Sequence, residues 1–137
     1  MIRPAEDRDR EAVSGLASRF ATSFEVSLSA FDRAWERLLS DEDACLLVAE
    51  EDDAVLGYLL GFRHDTFFAN GPVGWVEEVM VTESRRGRGL GRDLMLSFEA
   101  WSAEAGCALV ALATRRADAF YRAIGYEESA IYFRKLI

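Results

Sequence analysis

The stretch Arg85-Arg86-Gly87-Arg88-Gly89-Leu90-Gly91-Arg92 decides the fold, because it stands between an apolar strand and an amphipathic helix. Upstream, Trp75, Val76, Val79, Met80 and Val81 form a short β-rich segment. Downstream, Leu90, Leu94, Met95, Phe98 and Trp101 recur at helical spacing and make one apolar face. The glycines therefore straddle a helix N-terminus. Backbone N–H groups there have no intrahelical acceptor, and the aligned peptide dipoles add partial positive charge, so a diphosphate can accept several hydrogen bonds at once. Glycine leaves that approach clear. Arg86, Arg88 and Arg92 add full charges around the same loop. The pattern predicts an anion site.

Spacing excludes two phosphate motifs. A P-loop needs Gly-x-x-x-x-Gly-Lys followed by Ser or Thr, and the only lysine in the chain is Lys135. The dinucleotide fingerprint Gly-x-Gly-x-x-Gly fails because Arg92 stands where its last glycine would fall. What fits is Arg86-Gly87-Arg88-Gly89-Leu90-Gly91, read as Arg/Gln-x-x-Gly-x-Gly/Ala. This resembles the acetyl-coenzyme A pyrophosphate loop of the GNAT superfamily of N-acetyltransferases. Val76-Glu77-Glu78-Val79-Met80-Val81 is similar to the family's strand before that loop. Ala117-Asp118-Ala119-Phe120-Tyr121-Arg122-Ala123-Ile124-Gly125-Tyr126 is similar to its later Ala-x-x-Phe-Tyr-x-x-x-Gly-Phe/Tyr segment.

Length and patterning agree. At 137 residues with 50% hydrophobic positions, the chain can bury one core, and residues 1–137 are expected to form a single domain. Ile2 opens a first strand, and Val13, Leu16, Ala17, Phe20 and Phe24 follow helical spacing. Ser29 to Asp32 matches a capping box ahead of a second helix carrying Phe31, Trp35, Leu38 and Leu39. Cys45 to Glu50 and Val55 to Phe62 read as an antiparallel hairpin turned by Glu50-Glu51-Asp52-Asp53. Asn70-Gly71-Pro72 breaks the chain before the strand, loop and helix already described. Ala108 to Ala113 reads as a buried strand, a short helix follows around Phe120, and Ile131 to Phe133 reads as a last strand. The order β-α-α-β-β-β-α-β-α-β matches the α/β GNAT fold: a mixed, mostly antiparallel sheet flanked by helices, with splayed central strands.

The resemblance implies acetyl-CoA as cosubstrate, with no metal. Its pantetheine arm would lie along the backbone of Val79, Met80 and Val81. Its pyrophosphate would lie on Arg86, Gly87, Arg88, Gly89, Leu90, Gly91 and Arg92, with further contacts from Thr114 and Phe120. Thr114 departs from the asparagine the family often has at that place, though a hydroxyl still donates and accepts. Tyr121 is implied as the proton donor to the leaving thiolate, the alternative being an aromatic packed beside Phe120. Glu77 and Glu78 are the candidates for base, directly or through a water. Strand alternation puts them on opposite faces unless a bulge intervenes, and Glu78 is the one favoured.

The activity implied is acetyl transfer to a primary amine, of a small cationic molecule by the sign of the net charge of −8, which would attract cations and disfavour nucleic acid. Alternatives are a protein or peptide N-acetyltransferase and a non-catalytic acyl-CoA-binding regulatory module. Phe24, Phe31, Phe67 and Phe68 could wall the acceptor site, belong to the core, or make a homodimer contact. His64 could assist a base or simply end a strand. Cys45 and Cys107 lack the spacing of a metal or redox pair and are expected to be small buried residues. There is no signal-peptide stretch at Met1–Asp7 and no apolar run of membrane-spanning length, which predicts a cytoplasmic protein.

Overall fold

The structure is a computed structural model that describes residues 1–21 and 23–137. Strand β1 (Ile2–Pro4) leads through a 3-10 turn into helices α1 (Arg10–Phe20) and α2 (Leu28–Ser40). Strands β2 (Ala44–Glu51), β3 (Ala54–Asp65) and β4 (Pro72–Val81) follow, then α3 (Leu90–Glu104), β5 (Val110–Leu112) and α4 (Asp118–Ala123). The five strands make one sheet in the order β1-β2-β3-β4-β5. Every pairing is antiparallel except β4 with β5, which is parallel.

Period-2 alternation gives the sheet two apolar faces. On one, Val48, Tyr58, Leu60 and Met80 pack against Val13 and Leu16 of α1 and Trp35 of α2. On the other, Leu47, Ala49, Leu59 and Val76 meet Leu90, Leu94, Met95 and Phe98 of α3. Each fully buried Val, Leu, Met or Phe side chain among them contributes about 1.5–3 kcal/mol. Helix α3 lies unusually close to the sheet. A Cβ on Gly61 would sit 2.3 Å from Phe98 Cε1, and one on Gly74 would sit 2.5 Å from Ser102 Oγ. Those two glycines let the helix settle across β3 and β4, which aims its N-terminus at the end of β4.

Two irregularities in β4 create the site. Its pairing with β5 runs only from Gly74↔Val110 to Val76↔Leu112. Beyond Val76 the strand continues to Val81 with no neighbour on that side, so alternate peptides turn unpaired N–H and C=O groups into a gap. Against β3, the register jumps from Gly61↔Val76 to Leu60↔Glu78. Glu77 is the extra, bulged residue.

The structure departs from sequence expectation in four places. The N-cap of α2 is Ser27, whose Oγ accepts from the Ala30 N–H at 3.3 Å, not Ser29. Helix α1 stops at Phe20, because Ala21 turns extended at φ −66°, ψ 126°, so Phe24 belongs to the connection rather than the helix. The run Ala108 to Ala113 yields only the three residues of β5, half-buried at the sheet edge. The expected strand Ile131–Phe133 does not form. So short a β5 offers almost no ladder to pair with, and Arg134 donates to Ser23 Oγ at 3.1 Å, drawing the tail toward the α1–α2 connection instead.

Candidate active site

The glycine loop is built by backbone geometry. Gly87 and Gly89 adopt φ +77° and +88°, the left-handed region where a side chain is disfavoured, and a Cβ at either would meet nothing within 4 Å. Gly89 is the N-cap of α3, its carbonyl accepting from Asp93 N–H at 2.9 Å. The first N–H groups of this 15-residue helix, from Leu90, Gly91 and Arg92, have no intrahelical acceptors. Leu90 itself is buried, so its side chain anchors the helix while its backbone faces the loop. Gly91 receives α4: a Cβ there would lie 3.3 Å from Phe120 Cζ.

The arginines divide their work. Arg85 is tied to Glu51 by an ion pair. Arg86 folds back, its Nε donating to the Val81 carbonyl at 3.2 Å and its Nη2 reaching Met80 Sδ at 3.8 Å. Arg88 and Arg92 are exposed and have no carboxylate partner among the described residues. The loop thus keeps two free cations beside a helix N-terminus.

A cleft of about 770 Å³ opens beside the gap between β4 and β5, between the sheet and the α1–α2 connection. Glu77, Glu78 and Val79 from β4, Thr114 after β5, and Tyr121 from α4 all line it. Only one glutamate was expected to face a cleft, but the bulge at Glu77 breaks the alternation and both do. Glu77 is exposed and accepts from Trp75 Nε1 at 2.9 Å. Glu78 is half-buried, and its Oε1 accepts from Tyr58 Oη at 2.6 Å. Burial, and then the Glu78 carboxylate, push the Tyr58 phenol well above its ordinary range, so it remains a donor.

Tyr121 is half-buried, edge-on to Phe120 at 4.9 Å and to Tyr126 at 5.9 Å. Burial raises its ionisation above the usual phenol value, and its hydroxyl has no protein partner among the described residues. A proton is therefore held on an oxygen free to be used. Thr114 Oγ1 accepts from Ala117 N–H at 3.1 Å, which starts the turn into α4 and leaves its own O–H to donate.

Other candidates fall elsewhere. Phe24 and Phe31 line the cleft, whereas Phe67 and Phe68 lie in the β3–β4 connection, 103% and 77% exposed. His64 is exposed near the end of β3. Both cysteines are free; burial pushes the Cys45 thiol up to about 12 and raises Cys107. Sequence reasoning missed Tyr58, whose one signal was a lone hydroxyl in the otherwise apolar run Val55 to Phe62. It also missed Tyr132 and Arg134, which the unpaired tail brings to the cleft.

A sheet parted between two parallel strands, with a glycine-rich helix N-terminus beside the opening, defines an acyl-CoA-dependent acetyltransferase. The family profile described as Acetyltransferase (GNAT) family matches residues 11–126, and the chain belongs to that family. It is similar to the aminoglycoside N(6')-acetyltransferase type 1 of Stenotrophomonas maltophilia, at 34% identity over 110 residues, 72% of this chain and 71% of that protein. It is also similar to "Probable glucosamine 6-phosphate N-acetyltransferase 2" of Oryza sativa subsp. japonica, at 33% identity over 144 aligned positions, 96% of this chain and 87% of that protein. Among solved structures, glucosamine-6-phosphate N-acetyltransferase from Arabidopsis thaliana superposes with a TM-score of 0.87 at 25% identity, covering 99% of this chain and 97% of that one. The chain is an N-acetyltransferase of amines.

Acetyltransferases of this fold use acetyl-CoA, and the residues here fit it: a cradle free of Cβ atoms, uncommitted N–H groups at the start of α3, two unpaired arginines, and an unpaired strand edge leading into the cleft. No helix among the described residues is long and apolar enough to cross a membrane.

Proposed function

We propose that the protein transfers an acetyl group from acetyl-CoA directly to the primary amine of a small molecule that is cationic at that amine, residues 1–137 acting as one catalytic domain. The observation that carries this reading is the meeting of Glu78 and Tyr121 on one cleft, at the open end of β4 beside the glycine loop. Gly87 to Arg92 would hold the pyrophosphate, and the backbone of Val79, Met80 and Val81 would hold the pantetheine amides. The cosubstrate supplies a thioester carbonyl as the electrophile.

An ammonium has no lone pair, so the amine must first lose a proton. Glu78 serves better than Glu77, because it is half-buried and oriented by a phenol, while Glu77 is exposed and bound to Trp75. Glu78 accepts the amine proton, directly or through a water. Glu78 passes that first proton to solvent and, once the N–C bond has formed, takes the second from the nitrogen; as the C–S bond breaks, Tyr121 donates its proton to the departing sulfur and is reprotonated from solvent. The products are the N-acetyl amine and the free thiol.

The same reading places the protein in the cytoplasm, where Cys45 and Cys107 stay reduced, and leaves exposed Phe67 and Phe68 as the surface for a homodimer contact.

The test is thiol release from acetyl-CoA across a panel of amino acids, peptides, amino sugars and aminoglycosides, with thermal stabilisation by acetyl-CoA read in parallel. Stabilisation with turnover on one class is expected. Absence of stabilisation would remove the cofactor assignment, and stabilisation with no turnover on any amine would make this a binding module.

A further inference from the structure

The cleft has two chemically different walls. Helices α1 and α2 and their connection turn Phe20, Phe24, Phe31, Trp35 and Leu38 toward it, and none of their described cleft-lining residues carries a charge. Phe24 is 69% exposed and Phe20 39%. Apolar surface left open around a concave site is what a bound apolar body would cover. The opposite side carries every charge: Glu77 and Glu78 on β4, Arg115 and Arg116 after β5, and Arg134 on the tail. None of these three arginines has a carboxylate partner among the described residues, and Arg134 donates instead to the Ser23 hydroxyl.

We infer that the acceptor is a zwitterion with an apolar body: a primary amine joined to a carboxylate and a hydrophobic side chain, the class of free apolar amino acids and their short peptides. This rests on the amine-acetylation reading above and narrows it. The amine goes to Glu78 and Tyr121, the apolar group to the phenylalanine wall, and the carboxylate to the arginines, where a guanidinium offers paired donors. A polyamine or aminoglycoside would need acids along its length; the helical wall supplies none, and the far rim repels it with three guanidiniums. A sugar would press most of its hydroxyls against Phe and Leu side chains that offer them no hydrogen bond, with only Ser23 and Ser27 on that wall to answer them. An apolar amine without an anion would leave the arginines unmatched.

Four probes separate body from charge in the thiol-release assay: phenylalanine (apolar, anionic group), phenethylamine (apolar, none), glucosamine 6-phosphate (polar, anionic group) and kanamycin (polar, none). Phenylalanine is expected to have the highest kcat/KM, with loss of the carboxylate costing roughly ten- to a hundredfold. The Arg115→Gln/Arg116→Gln double variant should bring phenylalanine down to the level of phenethylamine while acetyl-CoA still stabilises the protein as in wild type. Phe24→Asp, at an exposed position that folding tolerates, should lower kcat/KM for phenylalanine and raise it for kanamycin. If kanamycin or glucosamine 6-phosphate equals or exceeds phenylalanine, the inference falls and amine acetylation stands. If the double variant weakens acetyl-CoA stabilisation without changing the ratio of phenylalanine to phenethylamine, the arginines serve the cosubstrate and the inference falls. If no probe and no other amine releases thiol, both readings fall.

Discussion

Tyr58 on β3 donates a 2.6 Å hydrogen bond to Glu78 on β4, although the two residues are not partners in the ladder: Tyr58 pairs with Met80 and Glu78 with Leu60. The bond is diagonal across the strands, on the face covered by α1 and α2. A phenol held protonated by burial stays a donor and fixes the orientation of the carboxylate it touches. Tyr58→Phe keeps the ring and so the packing, and removes only this donor. It is expected to lower kcat/KM about tenfold, through kcat, because the base is no longer held in place. A purely structural role for Tyr58 would lower thermal stability and leave kcat unchanged.

Tyr121→Phe tests the proton donor. The ring stays between Phe120 and Tyr126, so acetyl-CoA should stabilise the variant as it does the wild type. Turnover should fall by roughly 10²–10⁴, the usual worth of a positioned acid. Equal turnover in the two proteins would show that sulfur leaves without help from this hydroxyl.

Gly89 separates backbone strain from occlusion. Any L-residue at φ +88° costs roughly 1–2 kcal/mol, so Gly89→Ala and Gly89→Glu should lose similar stability. The glutamate additionally places a carboxylate at the diphosphate position beside the α3 N-terminus. Acetyl-CoA stabilisation should survive, weakened, in Gly89→Ala and vanish in Gly89→Glu; retention in both would displace the pyrophosphate site from this loop.

What the sequence made legible followed from local rules. Helical spacing of Leu90, Leu94 and Phe98, alternation in the hairpin strands, and glycines at the helix start all act within a few residues of one another. What it hid was long-range or registry-dependent. The bulge that turns Glu77 and Glu78 to one cleft depends on how β3 and β4 align. The Tyr58–Glu78 bond depends on that same alignment. Ile131-Tyr132-Phe133 has strand-like residues, but forming a strand needs a partner edge, and β5 is three residues long. Local propensity without a template left the tail unpaired.

Gly61 shows a contact that sequence could not announce. Its Cβ position is occupied by Phe98, whose side chain is fully buried. Gly61→Ala therefore forces α3 away from β3 or Phe98 out of its rotamer, a cost of about 1–3 kcal/mol. Chemical denaturation should read that loss directly. Because α3 carries the glycine loop at its N-terminus, acetyl-CoA affinity should fall too, whereas unchanged stability would show that the helix can slide without penalty.

Arg3 on β1 binds Asp9 through two bonds of 2.8 and 2.9 Å and Glu50 through two of 2.8 and 3.1 Å, tying the first strand to β2 and to the turn before α1. Asp9 is buried, and it also accepts from the Glu6 N–H at 2.8 Å. The guanidinium holds both carboxyls below their ordinary range. Their contribution is thus complete above the unfolded-state carboxylate values, about pH 4, and is lost as pH falls through the depressed folded-state values. Arg3→Met strands the Asp9 carboxylate and is expected to cost about 3 kcal/mol at pH 7. The gap between variant and wild type should narrow steadily as pH drops toward 3, since protonation removes what Arg3 was compensating. Denaturant titrations of the two proteins across that range provide the check, and a gap independent of pH would mean that the arginine acts by packing its stem rather than by charge.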